Sequence, residues 1–265
     1  MPESVVRTIS GSIYILLLIA SIFYSELSFK SVFTAFMIIG SIEMSKMIHL
    51  SQYKAIIISV IASVACFFLP LDYLLMATIC VPFLVYLTYL LFSQKPFDFS
   101  SDSKKIIYLL GYVILPFVCI TQLIYHQGNH LPQIVLGYLI LIWTNDTFAY
   151  ICGKLLGKHK LFEKISPKKT IEGFIGGILF SIIAALILNH YIDNTSATYW
   201  IINALFISVF GTIGDLVESK FKRQAEIKDS GKLIPGHGGI LDRLDSFIFV
   251  APFLLLINNL ILYVS

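Results

Sequence analysis

Nine apolar stretches follow one another along this chain of 265 residues, separated mostly by short polar breaks. They cover roughly residues 8–25, 31–45, 55–70, 73–92, 106–126, 132–152, 171–190, 198–216 and 245–264. A helix needs about 20 apolar residues to cross a bilayer. The expected fold is therefore all-α, a polytopic integral membrane protein with about nine transmembrane helices. Hydrophobic residues make up 57% of the chain and charged residues only 13%, against about 25% charged in a soluble domain. That composition excludes a water-soluble globule and a disordered chain. The first stretch has a basic flank like a signal peptide. Further apolar segments follow at once and no small-residue cleavage site is evident, so it reads as the first span.

Two assignments within this count are soft. The second stretch is short and contains Glu43. The third and fourth are parted only by Pro70, Leu71 and Asp72, read as a tight turn; the alternative is one long kinked segment. Charge tests the count. With nine spans and the N-terminus inside, every Lys and Arg except Lys30 falls on one side. Cytoplasmic loops carry such an excess, so the expected setting is the cell membrane, multi-pass, with a cytoplasmic N-terminus and an outside C-terminus. Net charge is only +3 and points to no nucleic-acid partner. The four cysteines, Cys66, Cys80, Cys119 and Cys152, lie in apolar runs without paired spacing, which argues against disulfides or zinc. Residues 1–131 read as plain transmembrane helices, a scaffold. Residues 132–265 carry the long basic loops and read as the catalytic region.

Residues 143–177 form the first polar constellation. Asp146 lies inside the sixth stretch, where a carboxylate costs about 2.5–3.5 kcal/mol on insertion scales. It either pairs with a lysine or Asn145 to lock helices, or lines a polar site. Ser166-Pro167-Lys168-Lys169-Thr170 precedes the seventh stretch. It reads as a helix cap with Pro at the first turn. Its lysine pair serves either headgroup anchoring or phosphate binding. Gly173, Gly176 and Gly177, like Gly153 and Gly157, are most simply close-packing positions.

Residues 214–246 form the second. Asp215, Glu218, Ser219 and Lys222 share one helix face, and Asp242 and Asp245 are three apart at the start of the last stretch. Acidic groups beside many Lys and Arg suggest Mg2+ held by carboxylates next to a polyphosphate; the bland alternative is an ion-pair network capping two helices. Pro235-Gly236-His237-Gly238-Gly239 is a flexible turn whose amides can approach a phosphate. His237 is a candidate general base, or simply a hydrogen-bonding residue. No Walker A pattern, Ser/His/Asp arrangement or thiol nucleophile is legible.

Residues 219–245, SKFKRQAEIKDSGKLIPGHGGILDRLD, resemble the signature of the phosphatidate cytidylyltransferase (CDP-diacylglycerol synthase) family, in its bacterial form. Its fixed positions fall on Ser219, Lys222, Arg223, Lys228, Asp229, Pro235, His237, Gly238, Gly239, Asp242, Arg243 and Asp245. Asp146 with Ala149 and Tyr150, the run from Ser166 to Thr170, and Gly214, Asp215 and Glu218 are also similar to the family. The resemblance is firm over 143–246 and only general over 1–131.

The resemblance implies a nucleotidyltransferase of phospholipid biosynthesis, joining CMP from CTP to phosphatidate and releasing pyrophosphate. By matching position it implies Asp215 and Asp242 as ligands of Mg2+, with Glu218 and Asp245 as ligands or their neighbours. Lys222, Arg223, Lys228 and Arg243 would hold triphosphate oxygens, and Lys168 and Lys169 the lipid phosphate. Asp146, Ser166, Ser219, Asp229, Gly238 and Gly239 would complete the substrate site, with His237 as the catalytic base candidate. The expected partners are CTP, phosphatidate and the lipid bilayer, with a homodimer left open. Phe221 is a candidate to stack on the base. Two other readings remain: a CTP-dependent lipid-alcohol kinase, and a transporter using Asp146, Asp215 and Glu43 as ion sites.

Overall fold

A computed structural model describes residues 3–69, 71–126, 129–193 and 195–264. Among the described residues nine long helices run back and forth: α1 (Glu3–Tyr24), α2 (Glu26–Met47), α3 (Gln52–Phe68), α4 (Tyr73–Phe92), α5 (Asp102–Gln122), α6 (Pro132–Leu156), α7 (Ile171–Tyr191), α8 (Ala197–Gln224) and α9 (Leu241–Val264). Eight are long and apolar enough to cross a membrane, and α3, at 17 residues, is the shorter one. At about 1.5 Å per residue it still reaches roughly 25 Å. Pro70 and Ser265 lie outside the described residues, but α3 and α4 are separate helices and Asp72 caps the second by accepting from the Leu75 amide at 2.9 Å. The single kinked segment is therefore not formed.

The segment with Glu43, weakest by sequence, is a 22-residue helix opened by a Ser25 capping box. Two other helices outrun their apolar stretches at the ends that matter. α8 continues to Gln224 and α9 starts at Leu241, so the polar face from Asp215 to Lys222 and the pair Asp242 and Asp245 are helical. The run Ser166–Thr170 departs from expectation. Strands β1 (Tyr125–His126) and β2 (Asn129–His130) pair antiparallel before α6, and the run is not a helix cap but strand β4, paired antiparallel with β3 (Lys160–Phe162). Only Thr170 caps α7, accepting from the Gly173 amide at 3.1 Å.

Lipid gives helices no hydrophobic reason to associate, so close packing and hydrogen bonds must hold them. The seam of α6 and α7 shows the first. A Cβ on Gly173 would stand 2.5 Å from the Ala149 carbonyl oxygen, and one on Gly176 2.5 Å from Cys152 Sγ. The second is shown by Lys220, buried, whose ammonium donates to the Leu90 carbonyl at 2.6 Å and sits 4.6 Å over the Phe97 ring. α5 carries a π-helical stretch at Leu110–Ile114, where Phe83 of α4 packs against Gly111.

The basic loops gather at one end of the bundle. Arg7 Nε donates to the Gly236 carbonyl at 2.9 Å, Lys54 pairs with Asp102 at 2.5 Å, and Lys164 donates to Gln94 at 2.6 Å. Lys30 is at the other end, paired with Glu26 at 2.5 Å and over the Tyr125 ring. This is the grouping that the charge pattern of nine alternating spans requires.

Candidate active site

The last four helices and the hairpin enclose a cavity of about 730 Å3 at the basic end. Asp146 comes from α6, Lys168 and Lys169 from β4, Asp215 and Lys222 from α8, and Asp242, Arg243 and Asp245 from α9; Asp229 and Lys154 complete its charged lining. Residues 99 positions apart thus line one cavity, and Asp215 and Asp245, 30 apart, meet because α8 and α9 are antiparallel neighbours. Gly214 permits that approach: a Cβ there would stand 2.5 Å from Phe249 Cβ and 3.0 Å from the Asp245 carbonyl oxygen.

An acidic group stands at its wall. One carboxylate oxygen from each of Asp215, Glu218 and Asp245 lies within 4.8 Å of the others. Glu218 is fully buried, and its Oε1 has no hydrogen-bond partner. A buried, unpartnered carboxylate oxygen is costly, and this one faces two further acids. The nearest counter-charges lie at the edge of the group. Lys169 pairs with Asp215 at 2.6 Å, and Lys222 pairs with Glu218 and, at 2.8 Å, with Asp242. Ser219 Oγ donates to Asp215 at 3.2 Å. Oxygen donors in excess of local positive charge are the chemistry of a hard divalent cation, and the residues present fit one.

Asp242 lines the same cavity but lies outside this group of three. Its Oδ2 accepts from the Ser230 amide at 2.8 Å and the Gly239 amide at 2.7 Å, and the Ser230 hydroxyl oxygen lies 3.0 Å from it. Its Oδ1 accepts from Lys222. Both oxygens have partners within the protein, and Asp242 lines the cavity beside the group that Asp215, Glu218 and Asp245 form. Gly238, at φ +88°, passes directly over Asp242, where a Cβ would meet Oδ2; the left-handed backbone and the close approach both require glycine.

His237 is likewise elsewhere. Its Nδ1 lies 3.2 Å from Ser10 Oγ of α1, and its ring packs over Gly11. Ser10 also donates to the Pro235 carbonyl at 2.8 Å, and Arg243 Nε to the His237 carbonyl at 2.8 Å. Burial, then the Arg243 charge, hold the imidazole pKa below its ordinary value. It docks the turn and does not line the cavity. Arg223 and Lys228 are exposed and outside it, Arg223 reaching only the Ile227 carbonyl at 3.5 Å. Ser166 also lies outside the lining. Phe221 is 1% exposed and stacks on Phe97 at 4.2 Å, so it belongs to the core and offers no face to a base.

Sequence reasoning missed Ser230 and placed Glu43 only among the ion sites of a transporter. Ser230, in the loop, bridges two carboxylates, and Glu43, in α2, is one of them. A carboxylate inside an apolar span was a visible signal; its partner, nearly 200 positions away, was not. A second cavity of about 460 Å3 lies between the opposite ends of α6 and α7, but its lining, with Gln133 its most polar side chain, holds no charged group.

Comparison with known proteins gives the chain's family. The sequence profile of the cytidylyltransferase family matches residues 5–261. The chain is 42% identical over 184 residues to the phosphatidate cytidylyltransferase of Staphylococcus saprophyticus, covering 69% of this chain and 68% of that one. It is 44% identical over 182 residues to the Staphylococcus aureus protein of the same name, covering 68% and 67%. With the Staphylococcus haemolyticus protein identity is 43% over 171 residues, 64% of each chain. The aligned stretch is thus about two thirds of these relatives' length.

Proposed function

The chain belongs to the cytidylyltransferase family, and from that premise we propose that it transfers CMP from CTP to phosphatidate, giving CDP-diacylglycerol and pyrophosphate. The observation that carries this reading is the cavity itself, where basic residues of β4, α8 and α9 meet a buried acidic group at the loop end of a membrane bundle. One substrate is anchored in lipid and the other is soluble, so the site must open at that boundary.

In the proposed step a phosphatidate phosphate oxygen bonds to the α-phosphorus of CTP. The bond from that phosphorus to the bridging oxygen breaks, and pyrophosphate leaves with the electron pair. A phosphate monoester has a second pKa near 6, so its oxygen is already anionic at neutral pH and no protein base is needed. That agrees with a His237 turned away from the cavity. Transfers of this kind depend on positioning and charge neutralisation. Lys168, exposed on the hairpin, and Lys169 are suited to receive the lipid phosphate. Lys222 and Arg243 are suited to the triphosphate, Lys222 as a point charge and Arg243 as a two-pronged donor. Asp146, across the cavity on α6, adds an acceptor for substrate hydroxyls or metal-bound water.

Asp215, Glu218 and Asp245 would hold Mg2+, the orphaned Glu218 oxygen being the feature that supports the fit. Bound there, the ion would neutralise phosphate charge as a Lewis acid. The basic end would face the cytoplasm, with the N-terminus inside and, by nine spans, the C-terminus outside.

CTP labelled with 32P at the α position tests the reaction on purified protein in detergent with phosphatidate and Mg2+. Label is expected in the organic phase, dependent on phosphatidate and abolished by chelator. Label remaining in water while CDP accumulates would assign a lipid kinase. CTP left intact by a monodisperse preparation would end the enzyme reading.

A further inference from the structure

We propose that Glu43 of α2 is a positioning residue for the reaction, acting through Ser230 and Asp242 on Lys222. The proposal rests on the cytidylyl-transfer reading above. Glu43 is 4% exposed, and all three of its partners come from the far end of the chain. Its Oε1 accepts from the Ile240 amide at 3.0 Å. Its Oε2 accepts from the Leu241 amide and the Ser230 hydroxyl, each at 2.9 Å. The loop is shaped around this carboxylate, since a Cβ on either Gly231 or Gly239 would collide with Oε1.

Proton accounting gives the contact a direction. The Ser230 hydroxyl has one proton and lies between two carboxylates, Glu43 and Asp242. A serine donates once. Asp242 Oδ2 already accepts two amides, from Ser230 and Gly239, whereas Glu43 Oε2 otherwise has one donor. The hydroxyl proton therefore goes to Glu43. Ser230 is then held from both sides, and its amide fixes Asp242, whose other oxygen fixes Lys222 at 2.8 Å. Lys222 also touches Glu218 of the acidic group. A continuous chain of charged and polar contacts thus runs from α2, outside the last four helices, to the centre of the cavity.

A plain structural cap would look the same in the coordinates but not in kinetics. Glu43→Gln keeps the side chain's size and sets an amide NH2 against a proton donor. Ser230→Ala keeps both helix-capping bonds and the amide bond to Asp242, and removes only the hydroxyl that ties the loop to Glu43. Pyrophosphate release is measured on purified wild type, both variants and the double variant, with thermal stability alongside. Lys220→Met is the control, because it removes a buried charge that touches only backbone carbonyls and the Phe97 ring.

For Glu43→Gln, kcat/KM for CTP is expected to fall at least tenfold, with KM for phosphatidate unchanged. Ser230→Ala is expected to lose part of this at near-normal stability. The double variant should be no worse than Glu43→Gln alone, the non-additivity of residues in one network. If Glu43→Gln fails to fold, Ser230→Ala carries the test. Wild-type kinetics in Ser230→Ala would overturn the proposal, as would an equal loss for both substrates matched by Lys220→Met. An inactive wild type would instead refute the function on which the proposal rests.

Discussion

Replacing Asp215 and Asp242 separately by Asn should give two different phenotypes, although the two residues look alike in the sequence. Asp215 is about one third exposed and contributes an oxygen to the acidic group. Asn there removes one ion pair with Lys169 and weakens a Ser219 hydrogen bond. Pairs this accessible contribute about 0.2–1 kcal/mol, so stability should hardly change. Turnover should fall by roughly 10²–10³, the scale of one lost electrostatic contributor at a reacting centre. Asp242 is 5% exposed and has three donors on its two oxygens. Asn can accept with one oxygen only. If that oxygen keeps the loop amides, its NH2 faces the Lys222 ammonium, and Lys222 and Glu218 lose their balancing charge. Breaking a buried pair on one side costs about 3–5 kcal/mol. At roughly 2–4 °C per kcal/mol for a chain of about this size, the midpoint should fall by about 6–20 °C. The assay is turnover at saturating Mg2+ together with loss of the monodisperse peak in detergent on heating. Two results would refute the reasoning: near-normal turnover for Asp215→Asn, or an Asp242→Asn protein as stable as wild type.

Three other outcomes follow from the same geometry. Gly214→Ala should cost about 1–3 kcal/mol of overpacking and lower turnover more than tenfold by parting Asp215 from Asp245; a normal rate would show that α8 and α9 can separate freely. His237→Ala should keep turnover within about tenfold and leave the pH–rate profile unchanged in shape, since a base would contribute about 10²–10⁴. Because the His237 pKa is lowered in the fold, its contribution to stability is complete above its unfolded value of about 6.5. It declines as pH falls through the folded value, so thermal midpoints of wild type and His237→Ala should converge in mild acid. Membrane-impermeant thiol labelling should reach Lys160→Cys and Lys232→Cys from the cytoplasmic face and Ser265→Cys from outside; labelling of all three from one face would remove a span.

The pattern of apolar residues by itself determined the number and order of the helices, because in lipid a backbone has few ways to satisfy its own polar groups. It likewise pointed to residues 143–246 as the candidate site, since charge at membrane depth is costly. The spacing of Asp215, Glu218, Ser219 and Lys222 was readable as one face because helical geometry is local. What only the tertiary structure decided is how each of several similar carboxylates is bonded. Asp242 and Asp245 are three residues apart, yet one is saturated by loop amides and the other joins Asp215 and Glu218. His237 looked like a base until the turn carrying it was seen docked on α1. Glu43 looked like a flaw in a weak span until its partners arrived from the loop before α9. Hydrogen-bond saturation depends on atoms brought together from distant segments, and no local spacing encodes it.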